Sequence, residues 1–403
     1  MPTVLLIGTL DTKGDEYAYL AERLKLGGVD VLVADTGTGG PPHGLEPDIG
    51  AAEVAREAGA DVAELTDRGA AGGTMAKAAA ALARRLHEEG RIDGVLAAGG
   101  SGNTAIATAA MQALPVGVPK LMVSTMAAGD TRDYVGGVDV TLMAAVTDVA
   151  GVNSISARIL ANAAAAMAGM VTAPAVEVAG GRPLIGATMF GVTTPCVTRA
   201  REALEANGYE VLVFHATGTG GKAMEALVEG GFLAGVLDAT TTELCDDLVG
   251  GVLSAGPDRL EAAGGAGLPQ VVSLGALDMV NFGARDTVPP QFEGRNLYVH
   301  NPSITLMRTT AEENAELGRR IARKLSAATG PVALFVPLKG VSMIDAEDQP
   351  FHDPEADAAL FAALREGVGA NVELVEMDNN VNDPEFADAM VAKLDDYVKG
   401  AAT

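Results

Sequence analysis

The chain contains no Trp, two Cys and five His among its 403 residues. With Cys196 and Cys245 alone, neither a disulfide framework nor a thiolate zinc cluster is available, and both thiols read as small packing residues of a cytoplasmic protein. The histidines stand in no HExxH or Ser-His-Asp order, so no zinc-protease or triad chemistry is proposed. Basic residues are scarce: 28 Lys and Arg against 53 Asp and Glu give a formal charge of −25. Such a surface repels phosphate backbones and anionic headgroups, which excludes nucleic acid and membrane as partners. Long apolar runs are missing as well. The opening MPTVLLIGTLDTKGDE has no basic region or cleavage site and reads as no signal peptide. The stretch ILANAAAAMAGMVTAPAVEVAG, broken by Asn162, Pro174 and Glu177, reads as a buried helix rather than a span.

What the chain has in excess is Gly, at 50 residues, mixed with Ala, Val, Leu and Ile, the composition of a tightly packed α/β protein with glycine turns. Its length exceeds the roughly 250–300 residues at which single cores stop growing, which implies more than one domain.

The pentad TGTGG occurs at residues 36 to 40 and again at 217 to 221. Each copy follows a β-branched run, VDVLVAD or YEVLVFH, itself preceded by an apolar strand and an amphipathic helical stretch. The parallel continues in order: DGVLAAGGSGNT with AGVLDATTTELCDD, VPKLMVSTMAAGDT with LPQVVSLGALDMVNFG, and DVTLMAAVTDVAG with SITLMRTTAEENA. Two α/β halves related by internal duplication are predicted, residues 1–178 and 179–403. Each is a Rossmann-like domain with a parallel, doubly wound sheet. The second half carries extra strands at PVALFVPL and ANVELVEM, and a last helix that starts at Pro384 behind Asp383.

Ligands of open parallel sheets bind at the carboxyl ends of the strands. In the first half four post-strand loops, GTLDTKGDE, DTGTGG, AAGGSGNT and STMAAGDT, all combine Gly with Thr or Ser. Glycine lets the backbone approach a ligand, and free N–H groups at a helix start accept an anion. Gly100, Ser101, Gly102, Asn103 and Thr104 therefore read as a phosphate cradle, with Thr36 and Gly37 of the first pentad facing the same anion. Lys13 is the only cation in the first three loops. Asp11, with Asp15 and Glu16, either contributes oxygen ligands to Mg2+ or opens a helix as a solvated acid. Neither a GK[ST] ending nor a GxGxxG is present, so no P-loop or ordinary dinucleotide fingerprint is read. The second half places His215, Asp238, Glu243, Asp246, Asp278 and Arg308 in the matching loops. His215, Glu243, Asp278 and Arg308 are the candidates for acid–base work, against the alternative that they cap helices and pair with one another. Both pentads are expected to keep one backbone turn, the first facing a phosphate and the second, beside Asp238 and Glu243, a cationic, metal-bound or hydroxyl-bearing ligand.

The segments GTLDTKGDE, GGSGNTAIATAAM, VSTMAAGDT, GATMFGVTTPCV, GVLDATTTEL, SLGALDMVNFG, HNPSITLMRTT and NDPEFAD together resemble the ATP-binding family typified by the N-terminal half of the tomato tobamovirus-resistance protein. The resemblance covers nearly the whole chain. It implies two Rossmann-like domains, ATP in the first, and a homodimer. It also implies nucleotide contacts at Asp11, Thr12, Lys13, Gly100, Ser101, Gly102, Asn103, Thr104, Thr125 and Met126. Asn103 departs from the family's usual GGSGGT, and DNNVNDPEFA lacks the His that often precedes NDP. Longer members continue into a TIM-barrel half, which makes a separate barrel protein an expected partner here. Three functions are open: an ATP-binding protein with Mg2+, acting as a nucleotide-controlled module or as part of an enzyme complex; an ATP-dependent enzyme that activates a small acidic or phosphorylated metabolite held by the second half; or a sugar-phosphate binding protein or isomerase.

Overall fold

Runs such as VLLIG, GVLAAG and VALFVP place β-branched and aliphatic side chains on both faces of a strand, the pattern of a sheet covered on both sides. In the computed structural model, which describes residues 1–65, 67–174 and 181–401, all of them are strands. The chain divides into two compact units, Met1–Glu177 and Val178–Thr403. The junction anticipated at residues 178 and 179 lies outside the described residues.

The first unit contains β1 (Thr3–Gly8), β2 (Asp30–Asp35), β3 (Gly94–Gly99), β4 (Lys120–Ser124) and β5 (Thr141–Ala144). They form one parallel sheet in the order β2-β1-β3-β4-β5. Alternation along the strands feeds two cores. Leu5, Ile7, Val95 and Ala97 pack in one with the helices Arg68–Glu88 and Ser101–Gln112. Val4, Leu6, Leu96 and Ala98 pack in the other with Leu10–Leu26 and Ser156–Thr172. Helices thus cover both faces, and each fully buried Leu or Val contributes about 1.5–3 kcal/mol.

The second unit contains β6 (Leu184–Met189), β7 (Glu210–His215), β8 (Gly235–Thr240), β9 (Gln270–Gly275), β10 (Met279–Phe282), β11 (Leu297–Asn301), β12 (Ile304–Arg308), β13 (Val332–Pro337) and β14 (Val372–Met377). Its parallel sheet runs β14-β13-β9-β8-β6-β7, so β7-β6-β8-β9 repeats the order β2-β1-β3-β4. The duplication is thereby visible in topology as well as in sequence. It ends at the fifth strand. The triplet TLM lies on β5 beside β4 in the first unit, but on β12 of a separate antiparallel sheet, β10-β12-β11, in the second, where β13 takes the place beside β9. The last helix, Pro384–Ala401, begins with proline at its first position, where a missing N–H costs nothing. Among the described residues no helix is long and apolar enough to cross a membrane.

Candidate functional site

A doubly wound sheet gathers its ligand loops where the strand order reverses, between β1 and β3 in the first unit. Ladder pairing between these two strands stops at Leu6 and Leu96; beyond it β1 continues only with β2 and β3 only with β4. A cleft of about 610 Å³ opens there.

Three loops supply its polar side. After β1, Asp11, Thr12 and Lys13 line the cleft, and the backbone leaves helical geometry at Lys13 (φ −128°, ψ 17°). After β2 come Thr36, Thr38 and Gly39. After β3, Gly100 is an extended N-cap with no capping side chain, and the first bond of the helix runs from Thr104 N–H to Gly100 O (2.9 Å). The N–H groups of Ser101, Gly102 and Asn103 therefore lack an intrahelical acceptor, and the positive helix end opens into the cleft. Leu65, Met75 and Ile106 supply an apolar wall.

Among the described lining residues Lys13 is the one cation, with Asp11 and Asp148 as the acids. Its ammonium donates to the Val149 carbonyl, which leaves further N–H donors for an anion. Three buried polar atoms of lining residues have no hydrogen-bond partner: Asp11 Oδ1, Thr36 Oγ1 and Asn103 Oδ1. Thr36 is only 1% exposed. Buried polar atoms are nearly always bonded, so three orphans in one cleft point to a ligand or ion that completes them.

Of the expected contacts, Asp11, Thr12, Lys13, Thr36, Gly100, Ser101, Gly102 and Asn103 line this cleft, whereas Gly37, Thr104, Thr125 and Met126 do not. Thr104 Oγ1 bonds Gly100 O (2.8 Å) and Ser124 Oγ (2.7 Å), clamping the helix start to the end of β4. Thr125 N–H and Met126 N–H are taken by Gly99 O (3.3 Å) and Ser124 Oγ (2.9 Å).

The reading of the first pentad needs correction. Three of its amides are taken within the protein: Thr36 N–H donates to Gly8 O (2.8 Å), Gly37 N–H to Asp35 Oδ1 (2.8 Å) and Gly39 N–H to Asp11 Oδ2 (2.7 Å). Burial holds Asp35 above the usual carboxylate range, against the opposing pull of the Gly37 and Leu10 N–H groups. Nor do the pentads share a backbone turn. Gly218 adopts φ +86° and starts the helix Thr219–Glu229, while residues 36–40 form a loop that runs into Pro41 and Pro42.

In the second unit the strand order reverses between β6 and β8, and the chain fills that place itself. The Glu243 carboxylate, fully buried, accepts from Gly218 N–H (2.6 Å) and Gly221 N–H (3.1 Å) and from Arg259 Nε (2.6 Å). Arg259 forks onto Asp238 with bonds of 2.6 and 2.7 Å. The cation expected beside Asp238 and Glu243 is thus a side chain of the protein. Burial raises the neighbouring Glu225 to about 7.

His215, Glu243, Asp278 and Arg308 do not converge. Asp278 and Arg308 share a second buried network, in which Ser342 Oγ donates to Asp278 Oδ2 (2.8 Å) and Arg308 bonds Asp357 (2.6 Å) and Asp345 (3.1 Å). Burial lifts Asp278 to about 6 and Asp345 to about 9. His215 is exposed at the end of β7 with its ring against Phe190 (5.5 Å). Asp246 is held by the Asn281 backbone N–H (2.6 Å) and side chain (2.8 Å). Both cysteines are buried and free, and burial pushes Cys196 up to about 12, which fits packing rather than reactivity.

Sequence reasoning missed Asp148 and Val149, which lie in a fifth post-strand loop, AVTDVAG, that carries no Gly-Ser signature. It also missed Arg259, inside the loop SAGPDRL, whose partners are distant in sequence and carry no local signal.

Two family models match the chain: the N-terminal domain of the uncharacterised protein family UPF0261 over residues 2–175, and the C-terminal domain over 182–398. A UPF0261 protein of Clostridium tetani is 54% identical over 97% of this chain and 98% of its own length. The ToMV resistance protein Tm-1 of Solanum lycopersicum is 40% identical over 97% of this chain, which spans 55% of that longer protein. Among solved structures, a UDP-N-acetylglucosamine 2-epimerase from Rickettsia bellii aligns over 67% of this chain and 78% of its own, with 12% identity and a TM-score of 0.24, too distant to carry any argument.

Proposed function

We propose, from the premise that this chain belongs to the UPF0261 family, that its N-terminal unit is an ATP-binding, nucleotide-controlled module. The observation that carries the reading is one cleft that combines the free N–H groups of Ser101, Gly102 and Asn103 with the Lys13 ammonium and an apolar wall. The amides and the ammonium suit phosphates, and Leu65, Met75 and Ile106 suit a base.

Mg2+ accompanies the nucleotide in this proposal. Asp11 Oδ1 and Thr36 Oγ1 are unpartnered oxygens of the kind a hard divalent cation takes. No group of three or more His, Cys, Asp or Glu among the described residues could hold a metal alone, so phosphate oxygens would complete the ion's shell. Among the described lining residues, one lysine beside two acids leaves a triphosphate under-neutralised without it. The reading extends to the cytoplasm as compartment, supported by two free, buried cysteines, and to a twofold dimer, supported by the small-residue segment VNSISARILANAAAAMAGM and checked by light scattering.

A thermal-shift screen with calorimetry tests the ligand. ATP with Mg2+ at 100 times its dissociation constant is expected to stabilise the protein by about 2.7 kcal/mol. No shift with ATP together with a shift from a sugar phosphate overturns the nucleotide reading in favour of the sugar-phosphate function.

A further inference from the structure

Between β1 and β3 the cleft exists because two strands stop pairing, and something must satisfy the backbone groups that the separation frees. Tyr17 does this. It is completely buried on the helix Leu10–Leu26, and its hydroxyl donates to Ile7 O (2.7 Å) while accepting from Ala98 N–H (3.0 Å), one group from each side of the split. Gly8 makes room: a Cβ there would lie 2.1 Å from the Tyr17 oxygen. The same oxygen accepts from Asn103 Nδ2 (3.0 Å), which also donates to Ala98 O (2.8 Å). Gly99 allows this close seat, since a Cβ on it would lie 2.8 Å from the Asn103 Cβ. Asn103 belongs to the first turn of the helix whose free N–H groups open into the cleft.

We infer that Tyr17 is a positioning residue for the anion cradle, acting through Asn103: its hydroxyl wedges β1 from β3 and locks the start of the helix Ser101–Gln112 with its free amides directed at the bound phosphate. The inference rests on the reading of the cleft as a phosphate site. An anion held by backbone N–H groups gains from donors fixed in advance, because nothing is then spent on ordering them when it binds. Phenylalanine at position 17 keeps the ring in its slot and removes only the oxygen that ties Ile7, Ala98 and Asn103 together. Lys13 lies on the same helix, so its charge is still presented in that variant.

The test is calorimetric titration of the intact chain and its variants, in Mg2+, with three probes: ATP, inorganic tripolyphosphate and adenosine. Tyr17→Phe and Asn103→Ala are each expected to weaken ATP and tripolyphosphate at least tenfold, by similar factors, and to leave adenosine unchanged, with the circular dichroism spectrum of the wild type retained. Val29→Ala, a cavity in the same core that touches neither the split nor the cradle, serves as the control. It is expected to lower the melting temperature while keeping wild-type affinity, a separation that a merely structural role for Tyr17 does not produce. Wild-type affinity for tripolyphosphate in Tyr17→Phe overturns the inference, as does an equal loss in Val29→Ala. Wild-type protein that binds tripolyphosphate but not ATP overturns the nucleotide reading alone, and the positioning role is then judged on tripolyphosphate. Binding of neither by the wild type overturns both.

Discussion

The two halves of this duplicated chain treat the same topological place in opposite ways. Between β1 and β3 the first unit leaves helix-start amides, a lysine and three orphan polar atoms around an open cleft. Between β6 and β8 the second unit lays a glutamate across the amides of its own pentad, Gly218 and Gly221, and neutralises it with a buried arginine. Glu243 and Arg259 fill that place with an ion pair of the protein's own. A duplicated half can thus keep its topology while its own side chains fill the place where the strand order reverses.

The largest expected effect comes from removing that internal counter-ion. Arg259→Met leaves Asp238 and Glu243, with Glu225 3.6 Å away in the intact protein, buried around no cation. Breaking one partner out of a buried pair costs about 3–5 kcal/mol, so the variant's second unit is expected to melt far below the wild type in calorimetry. Unchanged melting would break the comparison, since the site would then not be filled by this pair.

Next in size is the converse experiment in the first unit. Lys13→Ala removes the one cation among the described lining residues and is expected to weaken ATP by about 1.5–3 kcal/mol, the range of a charge-assisted hydrogen bond, with the fold intact. Glu243→Gln, in the other unit, is expected to leave ATP affinity at the wild-type value in the same titration. Loss of ATP in Glu243→Gln with retention in Lys13→Ala would reverse the assignment of the halves.

The strand ends and the glycine-rich loop after β3 were legible because strand periodicity and turn chemistry are local. The cradle's brace was not, because Tyr17 reaches Ala98 and Asn103 across the fold. The repeated letters misled in two places for the same reason. TGTGG followed by two prolines cannot enter a helix, whereas TGTGG followed by KAMEALVE does, so identical pentads adopt different backbones. TLM satisfies a parallel strand and an antiparallel one equally, and the partner strand decides which it becomes. The acids of the second half stand out in the sequence but their partner does not, since Arg259 meets Asp238 and Glu243 only through tertiary packing.

Acidity sharpens the contrast further. In the second unit burial raises Glu225 and Asp246 to about 7, Asp278 to about 6 and Asp345 to about 9. In the first unit burial raises Asp35. An acid whose folded value lies above its unfolded value near 4 holds a proton that the unfolded chain has released. Its contribution is fully present below about pH 4 and is lost as pH climbs through the folded value. Each such proton tilts stability by about 1.4 kcal/mol per pH unit. Between pH 5 and 9 the second unit's melting temperature is expected to fall steadily and the first unit's to fall less. A flat profile for the second unit would show that these acids are not held neutral.

Reading these effects separately requires knowing which melting transition belongs to which unit, and the smallest predicted effects supply that. Each unit closes its own apolar cores, and each has a helix whose start is capped by one side chain. Thr310 accepts from Glu313 N–H (3.1 Å) while Glu313 accepts from Thr310 N–H (2.8 Å), a reciprocal cap on the helix Ala311–Ser326. Asp67 accepts from Ala70 N–H (2.8 Å) at the start of Arg68–Glu88. Thr310→Ala and Asp67→Ala remove a donor's only acceptor at a helix end and are each expected to cost about 1 kcal/mol. For units of this size that is a shift of roughly 2–4 °C. Thr310 lies in the other unit from the cleft, so Thr310→Ala is not expected to alter ATP affinity; Asp67 caps the helix whose Ala71 and Gly72 line the cleft, so Asp67→Ala serves only to mark its unit's transition. Scanning calorimetry then sees Thr310→Ala move one transition and Asp67→Ala the other. If both variants move a single common transition, the units unfold as one. The stability arms of the comparison would then have to be judged on the whole chain, with ligand affinity alone left to tell the halves apart.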